Sequence, residues 1–180
     1  MKTFRGKALA AILLCLLITT KTYAIDYSVT SDSNFFTLGA GLFDITDPDD
    51  VSFVGLVDYR FTPRMFSGLF HERFHGMGPM AGILANTDGG YYGFGGLFLD
   101  IRWDENIIIL PSLAVGGYAQ NDSRDLGGVL EFKTEFYIGY KINEQNLLGV
   151  SLQHISNAAF HEDNPGVNMV FLTWSYGGGL

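Results

Sequence analysis

From residue 34 onward, apolar, aromatic and glycine residues gather in eight runs, each closed by a short polar break. The runs cover residues 34–44, 51–61, 77–87, 91–102, 107–120, 126–142, 147–157 and 167–176. Each is about as long as the 9–11 residues a tilted strand needs to cross a bilayer. The breaks carry turn chemistry. Asp88-Gly89 supplies a dipeptide suited to positive φ, and Trp103-Asp104-Glu105-Asn106 and Asn143-Glu144-Gln145 are short and polar. No segment after the leader holds enough consecutive apolar residues for a membrane helix.

Alternation within the runs separates two kinds of barrel. In 147–157, Leu148, Val150 and Leu152 share one face, and Gly149, Ser151 and Gln153 share the other. In 167–176 the even face holds Val170, Leu172, Trp174 and Tyr176. A soluble sandwich or lipocalin-like barrel would also alternate. An apolar face that ends in Trp and Tyr suits a lipid face with an interfacial girdle. The pattern therefore predicts an all-β fold: an eight-stranded antiparallel transmembrane β-barrel. One stretch reads otherwise. Thr62-Pro63 is a good helix start, Gly76 a good stop, and Phe66, Phe70 and Phe74 recur every four residues. This predicts one short connecting helix over 63–75.

Composition adds the compartment. Residues 1–24 read as a signal peptide: Lys2, Arg5 and Lys7 precede eleven apolar residues (8–18), and Thr22-Tyr23-Ala24 offers a cleavage site. Residues 25–180 are then the barrel domain. Cleavage removes four lysines and arginines and no acid, taking the net charge from −8 to −12. It also removes Cys15, the only cysteine, and with it any disulfide, thiol nucleophile or cysteine metal site. A chain this acidic has no means of neutralising a row of phosphates, which excludes nucleic acid as a partner.

Three clusters hold candidate chemistry. His71-Glu72-Arg73-Phe74-His75 matches H-E-x-x-H, but lacks the third ligand a zinc site needs. It reads as the polar face of the connecting helix, so no metal is expected. Asp44, Asp47, Asp49 and Asp50 lack the ligand spacing of a calcium loop and read as a solvated hairpin loop. The strongest cluster is His154-Ile155-Ser156-Asn157. His and Ser at i and i+2 of a strand point to one side, which sets a base beside a hydroxyl nucleophile. Parity puts both on the face of Leu148, Val150 and Leu152. With both termini periplasmic, the seventh strand rises outward, and Asn168 opens the eighth directly across the loop. All three would meet at the depth of the outer leaflet, where lipopolysaccharide resides.

His154-Ile155-Ser156-Asn157-Ala158 followed by Asn164-Pro165-Gly166-Val167-Asn168 resembles the C-terminal signature of the PagL-type lipid A 3-O-deacylases. The similarity runs over roughly residues 51–176, through Pro111–Tyr118, Leu130–Lys133 and Gly139–Lys141. The resemblance implies an outer-membrane barrel that hydrolyses the ester-linked 3-hydroxyacyl chain at position 3 of lipid A. It implies His154 as general base, Ser156 as nucleophile, and Asn157 in the oxyanion hole with backbone amides near Ala158 and Ala159. No cofactor is implied. The expected partners are lipid A or lipopolysaccharide as substrate and the surrounding lipids, with a homodimer left open. One position departs from the family: Asn168 stands where the acidic triad member belongs. An amide oxygen still accepts from the imidazole N–H but cannot neutralise the imidazolium. Glu162 and Asp163, in the adjoining loop, are alternative partners for His154. The contrasting reading is a non-enzymatic barrel with a degenerate site.

Overall fold

The computed structural model describes residues 34–62 and 65–177. The leader at 1–24 lies outside them. Nine strand segments follow in order: β1 (Phe35–Phe43), β2 (Ser52–Arg60), β3 (Phe74–Asn86), β4 (Tyr91–Arg102), β5 (Ile107–Ile109), β6 (Ser112–Ala119), β7 (Leu130–Asn143), β8 (Asn146–Ser156) and β9 (Val167–Gly177). They form eight staves. β5 and β6 are two halves of one stave, each lying between β4 and β7. The break falls at Leu110-Pro111, where proline has no N–H to give the ladder. The ladder still holds across it, because Leu110 N–H donates to Tyr137 O (3.0 Å) and Leu99 N–H to Pro111 O (2.9 Å). Each stave pairs antiparallel with its sequence neighbours, and β1 pairs with β9. The sheet is thereby closed and has no free edge, as a membrane-crossing sheet requires.

Closure sorts side chains by parity. Leu148, Val150 and Leu152 face outward, and Ser151 and Gln153 are buried inside. On β9, Leu172, Trp174 and Tyr176 face outward, while Phe171, Thr173 and Ser175 point in. The outer band is apolar and the interior mixed, which is the inverse of a soluble barrel. The interior is filled. Arg60 lies over the Tyr137 ring at 4.9 Å, and Lys133 over Phe94 at 4.2 Å. Both cations reach Glu135 Oε2 at 3.1 Å. Glu135 also accepts from Ser112 (2.9 Å), Ser151 (2.8 Å) and Gln153 (3.2 Å). Two buried cations therefore face Glu135 and the neighbouring Asp58, and the core carries no net charge from these four.

The expected helix over 63–75 does not form in the described residues. Phe66 and Gly68 take left-handed φ values of 62° and 71°. Met65 pairs with Met77 through two backbone bonds of 2.7 and 2.8 Å, and Phe74 already opens β3. Pairing to the rising strand offers these backbone groups partners that a helix of one or two turns could not match. The four-residue phenylalanine spacing has another use: the Phe70 and Phe74 rings meet at 5.6 Å. H-E-x-x-H thus never sits on one helical face. His71 Nδ1 accepts from Arg73 N–H (3.1 Å) in a turn, and His75 belongs to β3.

Candidate active site

The four connections at one end of the barrel are the segments 44–51, 87–90, 120–129 and 157–166. His154, Ser156 and Asn168 are at this end, on the outer face. The β8–β9 register places His154 directly opposite Asn168. His154 Nδ1 is 3.0 Å from Asn168 Oδ1. All three side chains are half-buried, whereas Leu152 just below them faces fully outward. Among the described residues, His154 Nε2 and Ser156 Oγ form no hydrogen bond. Glu162 and Asp163 do not contact the histidine through their carboxylates. The Asp163 backbone carbonyl instead accepts from Asn157 Nδ2 (2.7 Å).

Asn157 sits differently from the other three. It is fully buried. Its Nδ2 donates to Leu126 O (2.9 Å) as well as Asp163 O, and its Oδ1 accepts from Ala159 N–H (3.0 Å). Its own N–H donates to Asn164 Oδ1 (3.0 Å). The side chain is therefore the knot that ties the 157–166 loop to the 120–129 loop. Ala158 and Ala159 both hold left-handed φ, 53° and 63°. Such conformations are costly outside glycine and persist where surrounding bonds enforce them. Gly166 completes the loop with φ of 62°. A Cβ there would stand 3.0 Å from His154 Cε1, 3.2 Å from Ile155 O and 3.4 Å from Ser156 Cβ, so glycine lets the loop approach both side chains without crowding them.

The acidic loop is part of this site, which the sequence reading did not foresee. Asp44 is not solvated but almost fully buried. Arg124 Nη1 donates to Asp44 (2.6 Å), Asp47 (2.9 Å) and Asp50 (2.9 Å). This guanidinium holds the Asp47 carboxyl below its usual range, and the carboxylates in turn push Arg124 up. Thr46 Oγ1 donates to Asp44 Oδ1 (2.9 Å), and Asn168 Nδ2 donates to Thr46 Oγ1 (3.3 Å). Ile45 N–H also donates to Asn168 O (2.9 Å). Thr46 lies 122 positions from Asn168. Only the β1–β9 closure joins them, and no local signal announces it.

Beside His154 and Asn168 runs a groove of about 580 Å³, lined by Ile45, Phe136 and Leu152 among others. It opens on the lipid-facing side. The site thus combines an imidazole held by an amide, a hydroxyl two positions on and a trough with apolar walls.

Comparison with known proteins bears on the fold and the family. A curated relative, the lipid A deacylase PagL of Bordetella bronchiseptica, is 33% identical over 51 residues, 28% of this chain. That match spans only 29% of the relative's own length. Among solved structures, the outer-membrane enzyme PagL superposes with a TM-score of 0.59 at 15% identity, covering 78% of this chain and 97% of that one. A de novo designed transmembrane β-barrel gives 0.56 at 9% identity, covering 82% and 96%. At these identities the two structures speak for the fold alone. The model of the family described as lipid A 3-O-deacylase (PagL) matches residues 57–177. That interval takes in every stave from the middle of β2 onward, together with His154, Ser156 and Asn168, and on this match the chain belongs to the lipid A 3-O-deacylase (PagL) family.

Proposed function

We propose that this protein is an outer-membrane esterase that removes the 3-hydroxyacyl chain from position 3 of lipid A. The observation that carries the reading is the His154–Asn168 pair, 3.0 Å apart beside Ser156 on the lipid-facing side of the barrel. A soluble substrate would need no such placement. A glycolipid anchored in the outer leaflet meets it directly, with its acyl chain along the groove by Leu152 and Phe136.

The chemistry follows from the protonation pattern. Asn168 Oδ1 is an acceptor, so the histidine proton sits on Nδ1 and Nε2 carries the lone pair. Nε2 removes the Ser156 proton as Oγ attacks the ester carbonyl. The C–O bond to the sugar breaks, and His154 returns the proton to the sugar oxygen. Water, activated by the same nitrogen, then releases the 3-hydroxy acid and restores Ser156. The oxyanion is met by a backbone amide near Ala158, on the loop that Asn157 ties in place beside Ser156.

The amide at the acid's position favours a second reading, a non-enzymatic barrel that keeps the fold and has lost the reaction. One experiment separates the two: the mass of lipid A incubated with the refolded protein, beside Ser156→Ala. Loss of one 3-hydroxyacyl chain with the parent and none with the variant is expected. Unchanged mass from a correctly folded parent would leave the structural reading standing.

A further inference from the structure

The family interval begins at residue 57, so Asp44 and Thr46 fall outside it. We infer that Thr46, held by Asp44, is the positioning residue that makes Asn168 serviceable in place of an acid, by fixing which end of its amide faces His154. The inference rests on the esterase reading for its kinetic consequences, but the geometry stands by itself.

An asparagine has a defect that a carboxylate lacks. Its two ends differ, and turning the amide over replaces an acceptor with a donor. Facing His154 with Nδ2 would favour the imidazole tautomer protonated on Nε2, which leaves no base toward Ser156. Something must therefore hold the amide one way round. The hydrogen bonds around Thr46 admit one assignment only. Asp44 is paired with Arg124 and is an acceptor. The single Thr46 hydroxyl proton must then point at Asp44 Oδ1, 2.9 Å away. That leaves Thr46 Oγ1 as an acceptor, satisfied by Asn168 Nδ2 at 3.3 Å. Asn168 Oδ1 consequently faces His154 Nδ1 at 3.0 Å. Were the amide reversed, Thr46 would have to donate to Asn168 and to Asp44 with one proton, and two oxygens would meet without a hydrogen between them. A proton order set by a carboxylate at the rim is thus passed through a hydroxyl and an amide to the imidazole.

The loop is built to keep that order. Ile45 N–H bonds the Asn168 carbonyl at 2.9 Å, so Thr46 is carried on the same backbone contact. Asp44 takes a left-handed φ of 51°, a conformation aspartate tolerates better than most residues. The Arg124 clasp anchors it from the 120–129 loop.

The test is a cycle of variants read in two ways. Thr46→Val removes the hydroxyl while keeping the shape; Thr46→Ser keeps it. Asn168→Asp makes both ends acceptors, so orientation ceases to matter. Imidazole nitrogen NMR on the refolded protein reports the His154 tautomer without any substrate. The Nδ1–H form should dominate in the parent and in Thr46→Ser, and give way to Nε2–H in Thr46→Val. In lipid A hydrolysis, Thr46→Val should lower kcat by about 10- to 100-fold with KM little changed, short of the roughly 10⁴-fold that a wrong triad tautomer costs in a serine protease. In the Asn168→Asp background the same change should cost little. An unchanged tautomer in Thr46→Val would overturn the inference whatever the rate does. An equal loss of kcat in both backgrounds would also overturn it, assigning Thr46 to loop structure. If the parent hydrolyses nothing yet its tautomer shifts as described, the relay stands and the esterase reading falls.

Discussion

Two polar networks use the same chemical groups to opposite ends. Inside the barrel, Glu135 accepts from five donors and is sealed from solvent. At the rim, Asp44 accepts from Arg124 and Thr46 and starts a chain that ends on His154. The first network turns inward. Two cations face Glu135, and its carboxylate is taken up by five donors. The second is open: its last members, His154 Nε2 and Ser156 Oγ, are uncommitted. A buried carboxylate saturated by neighbours holds a fold together, whereas one that leaves a valence at the end of a line can do chemistry.

The sharpest break in this comparison is Ser156→Ala. It should lower deacylation by roughly 10³-fold or more, as loss of a nucleophile does when the rest of the site remains. The heat-modifiable gel mobility of the barrel should stay as it is. Next comes the interior. Glu135→Ala strands Arg60 and Lys133 in a dry core and should destabilise the barrel by about 3–5 kcal/mol, read from urea unfolding in micelles. The kcat of the fraction that remains folded should not change. If instead activity vanished with stability intact, the two networks would not be separable. Gly166→Ala should act on the open network alone. The added Cβ, 3.0 Å from His154 Cε1 at a φ of 62°, should cost about tenfold in kcat or about 1.4 kcal/mol of barrier, and less in unfolding midpoint.

The smallest effect is a pH dependence at the clasp. Arg124 holds the Asp47 carboxyl below its ordinary value of 3.8. A group lowered in the folded state stabilises above its unfolded value, and that contribution is lost as pH falls through the folded one. Protease cleavage in the 44–50 loop should therefore increase below about pH 4, and Arg124→Gln should make the loop sensitive at neutral pH as well. Equal cleavage of the parent at both pH values would show that the clasp does not order the loop.

Most of the barrel was legible because parity is a strong signal. A strand with one face in lipid and one in a packed interior must alternate, and a slip of one residue would invert it. Leu148, Val150 and Leu152 could thus be assigned outward, and the same parity placed His154 and Ser156. The helix over 63–75 was misread because phenylalanines spaced by four fit either a helix or a pair of rings meeting across a turn. Only the Met65–Met77 bridge decides between them. The fifth stave's interruption was available in Pro111 but carries no weight until both neighbouring ladders are known. At the site, the family resemblance implied Asn157 in the oxyanion hole, but spacing gave no sign of its burial or of the three side-chain bonds that tie the 157–166 loop to the 120–129 loop. Asp44 and Thr46 were beyond reach. Their partner is set by the closure of the first strand on the last, which composition and spacing do not encode.

The filled interior fixes how molecules meet this protein. Arg60, Lys133, Glu135 and the aromatic rings stacked on them fill the middle of the barrel. With His154 and Ser156 on the outside wall, the proposed substrate would arrive by sideways drift within the leaflet. Encounter with that proposed substrate would then be a search in two dimensions, with a speed that follows the lipid's surface density. Diluting a suspension of vesicles that carry both partners should leave the turnover per vesicle as it was, whereas thinning the lipid A within each leaflet should slow it in proportion.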